Sequence, residues 1–144
     1  VASVSARSLI ARDEGASAVE FALVSVALVM LLVGIVQFGF LFYQWVEITH
    51  AAREGARWAA LEHPAGSVGT PGTVRWKVAQ AAPGMVLTDA DIDVSPANPS
   101  IADVGDPASV TVRHAVPLFT PLMQALFGGG ETFVLRSTAV MRIE

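Results

Sequence analysis

The chain has no cysteine. No disulfide can staple it and no thiolate can hold a metal, so the fold rests on packing and hydrogen bonds and suits either redox environment. It also lacks a basic cluster. Nine Lys and Arg are scattered among thirteen Asp and Glu, for a net charge of −4. A nucleic-acid role therefore has no electrostatic support, because such binding draws on grouped cations that neutralise phosphates. Proline first occurs at Pro64, and the glycines before it (Gly15, Gly34, Gly39, Gly55) are isolated. Over this length nothing forces a helix to stop.

Charge is missing locally as well. From Phe21 to Phe42 only Ser25 and Gln37 are polar, and no residue is charged. As a helix this run is roughly 33 Å long at 1.5 Å per residue, against about 30 Å of bilayer hydrocarbon. A buried helix of a soluble protein rarely stays apolar on every face for such a length. A removable secretory signal has an apolar core of about 7–15 residues followed by a small-x-small cleavage site, and neither fits here. The run reads as a transmembrane helix. Arg7 and Arg12 precede it and Arg53 and Arg57 follow it, so the positive-inside rule says little about orientation. The flank before the span is too short to fold alone, whereas the chain after it is long enough, so the following domain is expected outside.

Three segments are expected. Residues 1–15, polar and rich in Ser and Arg, read as a disordered leader. Residues 16–43 form the transmembrane half of a long helix that starts near Ala16–Ser17 and runs to about residue 62. Residues 44–144 form an extracytoplasmic domain that includes the helix's upper half. In that upper half Leu41, Trp45, Ile48, Ala52, Gly55 and Ala59 are spaced 4, 3, 4, 3, 4 and share a face. The stripe tapers from bulky to small, so Ala52, Gly55 and Ala59 invite the close approach of a sheet. Gln44, Glu47, His50, Glu54 and Arg57 line another face, where Glu54 and Arg57 form an i,i+3 pair.

Beyond His63-Pro64-Ala65-Gly66, which ends the helix, the pattern alternates between turns and short elements. Val74–Ala82 reads as a short helix closed by Pro83-Gly84. Ile92 and Val94 alternate with acidic and polar residues in a short strand. Ser109–Val116 is a second strand, with Val110, Val112, His114 and Val116 on one face. Pro121–Phe127 is a helical turn before the Gly128-Gly129-Gly130 break. A last strand covers Glu131–Ile143, with Phe133, Leu135, Ala139, Met141 and Ile143 on one face. One apolar and one polar face per strand is the pattern of an antiparallel sheet. The fold class is α+β: a long N-terminal helix whose upper half packs on a small antiparallel sheet of about three strands.

Chemistry has little to stand on. Asp89-Ala90-Asp91-Ile92-Asp93 has the alternation that opens a calcium loop, but Val94 stands at the sixth position and Ser100 at the twelfth, where Gly and Glu belong. A solvated strand edge is the better reading. His50, His63 and His114 lack zinc-type spacing, and His114 falls on an apolar strand face, where packing explains it. The three glycines at 128–130 read as a turn rather than an anion site. No nucleophile elbow, P-loop or dinucleotide fingerprint occurs. No catalytic constellation, metal site or cofactor site is expected, and the chain does not read as an enzyme.

Glu20 is harder to dismiss, because a carboxylate at the mouth of an apolar helix is costly in lipid. One reading keeps it hydrated at the headgroup boundary. Alternatively, a cut after Gly15 would create a positive α-amino group on Ala16, one turn below Glu20, in the same or an adjacent subunit. Pairing with that amine would reduce the burial penalty and favour a definite axial register between helices. Ala18, Ala22 and Ser25 give the lower helix a small-residue face suited to helix–helix packing in a membrane.

Gly15, Glu20 and Phe21 stand as they do in type IV pilins and pseudopilins, which the chain resembles. The closer resemblance is to the TadE-like family of the tight-adherence (Flp-type) pilus system. It rests on Gly15-Ala-Ser-Ala-Val-Glu-Phe-Ala22, on Gln37-Phe38-Gly39, on Ala51-Ala-Arg-Glu-Gly-Ala-Arg57, and secondarily on the ending strand Thr138-Ala-Val-Met-Arg142. The resemblance implies a minor pilin or pseudopilin in a bacterial cytoplasmic membrane, with a surface pilus as its further location. A prepilin peptidase would cut between Gly15 and Ala16, with Glu20 and Phe21 as assembly residues. Membrane lipid, other pilins and the pilus assembly platform would be its partners. Arg53, Glu54 and Arg57 are candidates for partner contact. The competing expectation is an uncleaved single-pass anchor whose outer domain binds a ligand or wall component.

Overall fold

The computed structural model describes the backbone of residues 6–144 and the side chains of residues 15–121 and 123–144. One helix, α1 (Ala6–Ala60), dominates. Its 55 residues extend about 82 Å at 1.5 Å per residue. It begins ten residues before the expected start, so residues 6–14 are helical rather than a disordered leader; residues 1–5 of that leader lie outside the described residues. Ala6–Glu14 holds good helix formers and no Gly or Pro. Extending an existing helix adds one hydrogen bond per residue fixed, and Gly15 costs only about 1 kcal/mol relative to Ala.

The upper end of α1 closes by a defined motif. His63 N–H reaches Trp58 O and Glu62 N–H reaches Ala59 O, the paired bonds of a Schellman cap, with Glu62 in the left-handed region at φ 61°. The Trp58 and His63 rings stack at 4.3 Å, so the residues joined by the outer bond also pack. The chain's last residue joins in: Glu144 N–H donates to Ala60 O.

The remaining elements are α2 (Val74–Ala81), β1 (Ile92–Ser95), β2 (Pro107–Pro117), α3 (Pro121–Leu126) and β3 (Thr132–Arg142), with 3-10 turns at Asp89–Asp91 and Pro99–Ile101. Thr73 caps α2 by accepting from Trp76 N–H, and Thr120 caps α3 by accepting from Met123 N–H. The strands form an antiparallel sheet in the order β1-β2-β3. This is the expected α+β class, with the upper half of α1 laid across one sheet face. The register places Val94, Val110 and Ala139 in one row, and Ile92, Val112 and Ser137 in the next. β2 extends one or two residues further at each end than the periodicity suggested, to Pro107 and Pro117. Both prolines lie beyond the reach of the short β1, where a missing N–H breaks no bond on that side.

The core is where α1, α2 and the sheet meet: Ile48, Ala52, Ala56 and Ala59 of α1, Val74 and Val78 of α2, and Ile92, Val110, Val112 and Val116 of the strands are all essentially buried. Two expectations for α1 need correcting. Trp45 is 46% exposed and Gln44, one position earlier, is buried. Trp45 instead borders an open apolar groove with Phe127, Phe133 and Leu135 and meets Phe42 at 6.0 Å. Glu54 pairs not with Arg57 but with Lys77 of α2, at 3.9 Å.

Candidate functional site

The domain packs on one face of α1 from Gln37 upward. From Val19 to Val46 nineteen large apolar side chains are exposed, and below Gln37 they lie on every side of the helix. Burying one such side chain is worth about 1.5–3 kcal/mol. Leaving all of them in water would forfeit tens of kcal/mol, more than the roughly 5–15 kcal/mol that stabilises a whole domain. This surface needs a cover. The helix is long and apolar enough to cross a membrane, and none of its most apolar stretch is buried by the rest of the chain.

Glu20 is the only charged residue between Gly15 and Val46, and it is exposed near the lower end of this surface. Ala16 lies four residues earlier, so the two share a face one turn apart. The Gly15–Ala16 peptide bond lies inside α1, flanked by helix on both sides. Phe21 is 74% exposed beside it. Ala18, Ala22 and Ser25 follow at spacings of four and three on one side of the helix. The Ser25 hydroxyl donates to Ala22 O at 2.9 Å, so its polar group is satisfied within the helix and needs no water.

The second group of sequence-derived residues lies about 50 Å higher, by helical rise, from Glu20 to Arg53 and beyond. Ala52 and Ala59 are fully buried. Gly55 faces α2 and β2 together: a Cβ there would overlap Val78 Cγ2 and lie 3.1 Å from Val110 Cγ1. Arg53 and Arg57 are exposed on the opposite side. Arg57 joins Leu61, Arg142 and Glu144 around an open hollow at the top of the domain. The long helix keeps the two groups apart, so they form two surfaces rather than one site.

Sequence reasoning missed the groups that tie the domain to the helix. Glu47, expected on a solvated face, is half-buried and accepts from Gly84 N–H at 2.8 Å. Gln37 is buried although it lies within the apolar run, and its Oε1 accepts from the Thr120 hydroxyl at 2.6 Å. A polar residue inside a charge-free run was the available signal for Gln37.

The acidic alternation is occupied with structural tasks. Asp89 accepts from Val68 N–H, Asp91 closes a capping box with Thr88, and Asp93 lies 3.9 Å from Arg113 across the sheet. Gly128 and Gly129 adopt φ of 93° and 82°, which makes the glycine run a turn. His114 is half-buried in β2.

No curated protein and no solved structure gives a significant match to the chain. The family model of TadE-like proteins matches residues 15–57. That segment runs from the Gly15–Ala16 bond through Glu20 and the exposed apolar surface to the docking face at Gly55, and over it the chain is similar to TadE-like proteins.

Proposed function

We propose that this chain is a membrane-anchored structural subunit, a minor pilin or pseudopilin that takes part in assembly of a tight-adherence (Flp-type) pilus or its secretion apparatus, and not an enzyme. One observation carries the reading: between Gly15 and Gln37 α1 is apolar and exposed around its circumference, with Glu20 as the single charge of that stretch. A bilayer covers such a surface first, and the helices of neighbouring subunits cover it after extraction. In the bilayer the helix holds the subunit, with the sheet domain outside. A prepilin peptidase then cuts after Gly15, and the new amine of Ala16 pairs with Glu20 of the same or a neighbouring chain. The exposed Arg53 and Arg57 face partner subunits or the assembly platform.

A second reading is favoured by the continuity of α1 through Gly15–Ala16. Proteolysis needs the scissile bond in an open backbone, and here it is held in helical hydrogen bonding. An uncleaved single-pass anchor with an outer binding domain accounts for that continuity. Intact-mass measurement of the protein extracted from membranes of cells with an active prepilin peptidase separates the two. A chain beginning at Ala16 is expected; a chain that still contains Gly15 sinks the cleavage reading.

A further inference from the structure

The connection between β2 and β3 sits beside α1 at the height of the apolar run. Its Thr120 hydroxyl bonds Gln37, and its Phe119 borders an apolar hollow of about 260 Å³ with Val33, Val36 and Phe40. Gln37 is sixteen residues beyond Phe21, about 24 Å along the helix. With Phe21 at one edge of roughly 30 Å of hydrocarbon, Gln37 and Phe119 fall short of the other edge.

The composition of the connection fits that depth. Residues 115–130 contain no charged side chain, and on α1 the first charge above Glu20 is Glu47. Phe119 and Leu126 are each 71% exposed, and Phe127 is 37% exposed. On α1 the exposed Tyr43 and Trp45 stand just above this level, and such amphipathic rings favour the membrane interface. Non-helical backbone close to lipid must satisfy its polar groups internally. This segment does so at several points: Leu118 N–H donates to Glu131 O, Phe127 N–H to Met123 O and Gly129 N–H to Gln124 O, while the Gln124 side chain donates to Leu118 O.

We propose that the connection Leu118–Gly130 is a second membrane contact, a foot that enters the bilayer interface on the domain's side with Phe119, Leu126 and Phe127 against the acyl chains. The inference rests on the reading of α1 as a membrane span. Its occupant is lipid, because the surface continues the exposed apolar face of that span without an intervening charge. A foot beside the helix fixes the domain's height above the membrane and opposes its rotation about α1.

The absence of native cysteine makes the test direct. Full-length single-cysteine variants carrying a bimane label are reconstituted in phosphatidylethanolamine/phosphatidylglycerol vesicles and quenched either by brominated lipid or by aqueous iodide. Val29→Cys reports the span, Phe119→Cys and Leu126→Cys report the foot, and Val86→Cys and Ile101→Cys report exposed apolar residues elsewhere. Only variants whose thermal melts match the parent are compared; the two foot positions serve as independent reporters. Bromolipid is expected to quench at 29, 119 and 126, and iodide at 86 and 101. Quenching by bromolipid at 29 with iodide access at 119 and 126 overturns the foot and leaves the span standing. Iodide access at 29 removes the span, and the foot with it. Shielding of 119 and 126 from both quenchers assigns the surface to a second copy and likewise overturns the proposal.

Discussion

The Thr120 hydroxyl and the Gln37 side-chain oxygen, 83 positions apart, share a 2.6 Å hydrogen bond that ties the β2–β3 connection to the long helix. Thr120 also caps α3. Its replacement by Val should therefore remove a cap and a buried bond together, costing about 1–2 kcal/mol. Thr120→Ser keeps both and should cost less. Gln37→Leu should be milder than Thr120→Val, because Gln37 Nε2 is already buried without a partner and Leu removes that liability. Chemical denaturation of the full chain in detergent checks the order. A Gln37→Leu variant less stable than Thr120→Val would show that the cap and bond have been misweighed.

Gly55 allows α1 to approach both Val78 and Val110. On helix propensity alone, Gly55→Ala should stabilise by about 1 kcal/mol. The overlap with Val78 Cγ2 acts against that, and overpacking of a tight core commonly costs about 1–3 kcal/mol. Gly55→Ala is thus expected to be destabilising and Gly55→Leu severely so. Val78→Ala should partly rescue Gly55→Ala by opening the space its Cβ needs. Thermal unfolding of the two single variants and the double variant measures this coupling; additive effects would exclude the seam as the cause.

Much of this packing was legible in sequence because it follows a local period. The alternation in Ser109–Val116 and Glu131–Ile143 gives the sheet face, and the small residues at 52, 55 and 59 give the seam. Trp45 and Gln44 defeated the same reasoning: hydropathy favoured the tryptophan, while the helix turns the amide inward and leaves the indole at the rim of a groove. The bonds Glu47–Gly84 and Gln37–Thr120 join positions 37 and 83 apart. Glu47 and Gly84 each look like an ordinary polar or turn residue, and although Gln37 stands out in the charge-free run, nothing local points to Thr120 as its partner. The Ser and Arg before Gly15 suggest disorder, but these residues do not stop a helix that is already formed downstream, so α1 starts at Ala6.

Glu62 holds a left-handed conformation to complete the cap of α1. That conformation costs a non-glycine residue about 1–2 kcal/mol, whereas glycine adopts it freely but loses more entropy on folding. Glu62→Gly should therefore stabilise by about 0.5–1 kcal/mol, and Glu62→Val should destabilise. Midpoints of denaturant unfolding decide the matter. A less stable glycine variant would mean that the Glu62 side chain contributes something beyond the cap.

Glu20 offers the sharpest test of the proposed assembly role. It is exposed on the isolated chain, and no contact within the sheet domain depends on it. Glu20→Ala should therefore leave the melting of the domain unchanged. Membrane insertion should persist, because the substitution removes the only charge between Gly15 and Val46. In a bundle of helices the effect reverses. Removing one partner of a buried ion pair leaves the Ala16 amine uncompensated, at a cost of about 3–5 kcal/mol. Pilus output should collapse while cleavage after Gly15 largely continues. Glu20→Asp, which keeps the charge on a shorter side chain, should recover part of the output. Shed-pilus yield, scored beside the processed fraction on the same blots, reads both steps. Normal pili from Glu20→Ala would mean that Glu20 stays hydrated at the headgroup boundary and that subunit register is set elsewhere on the helix.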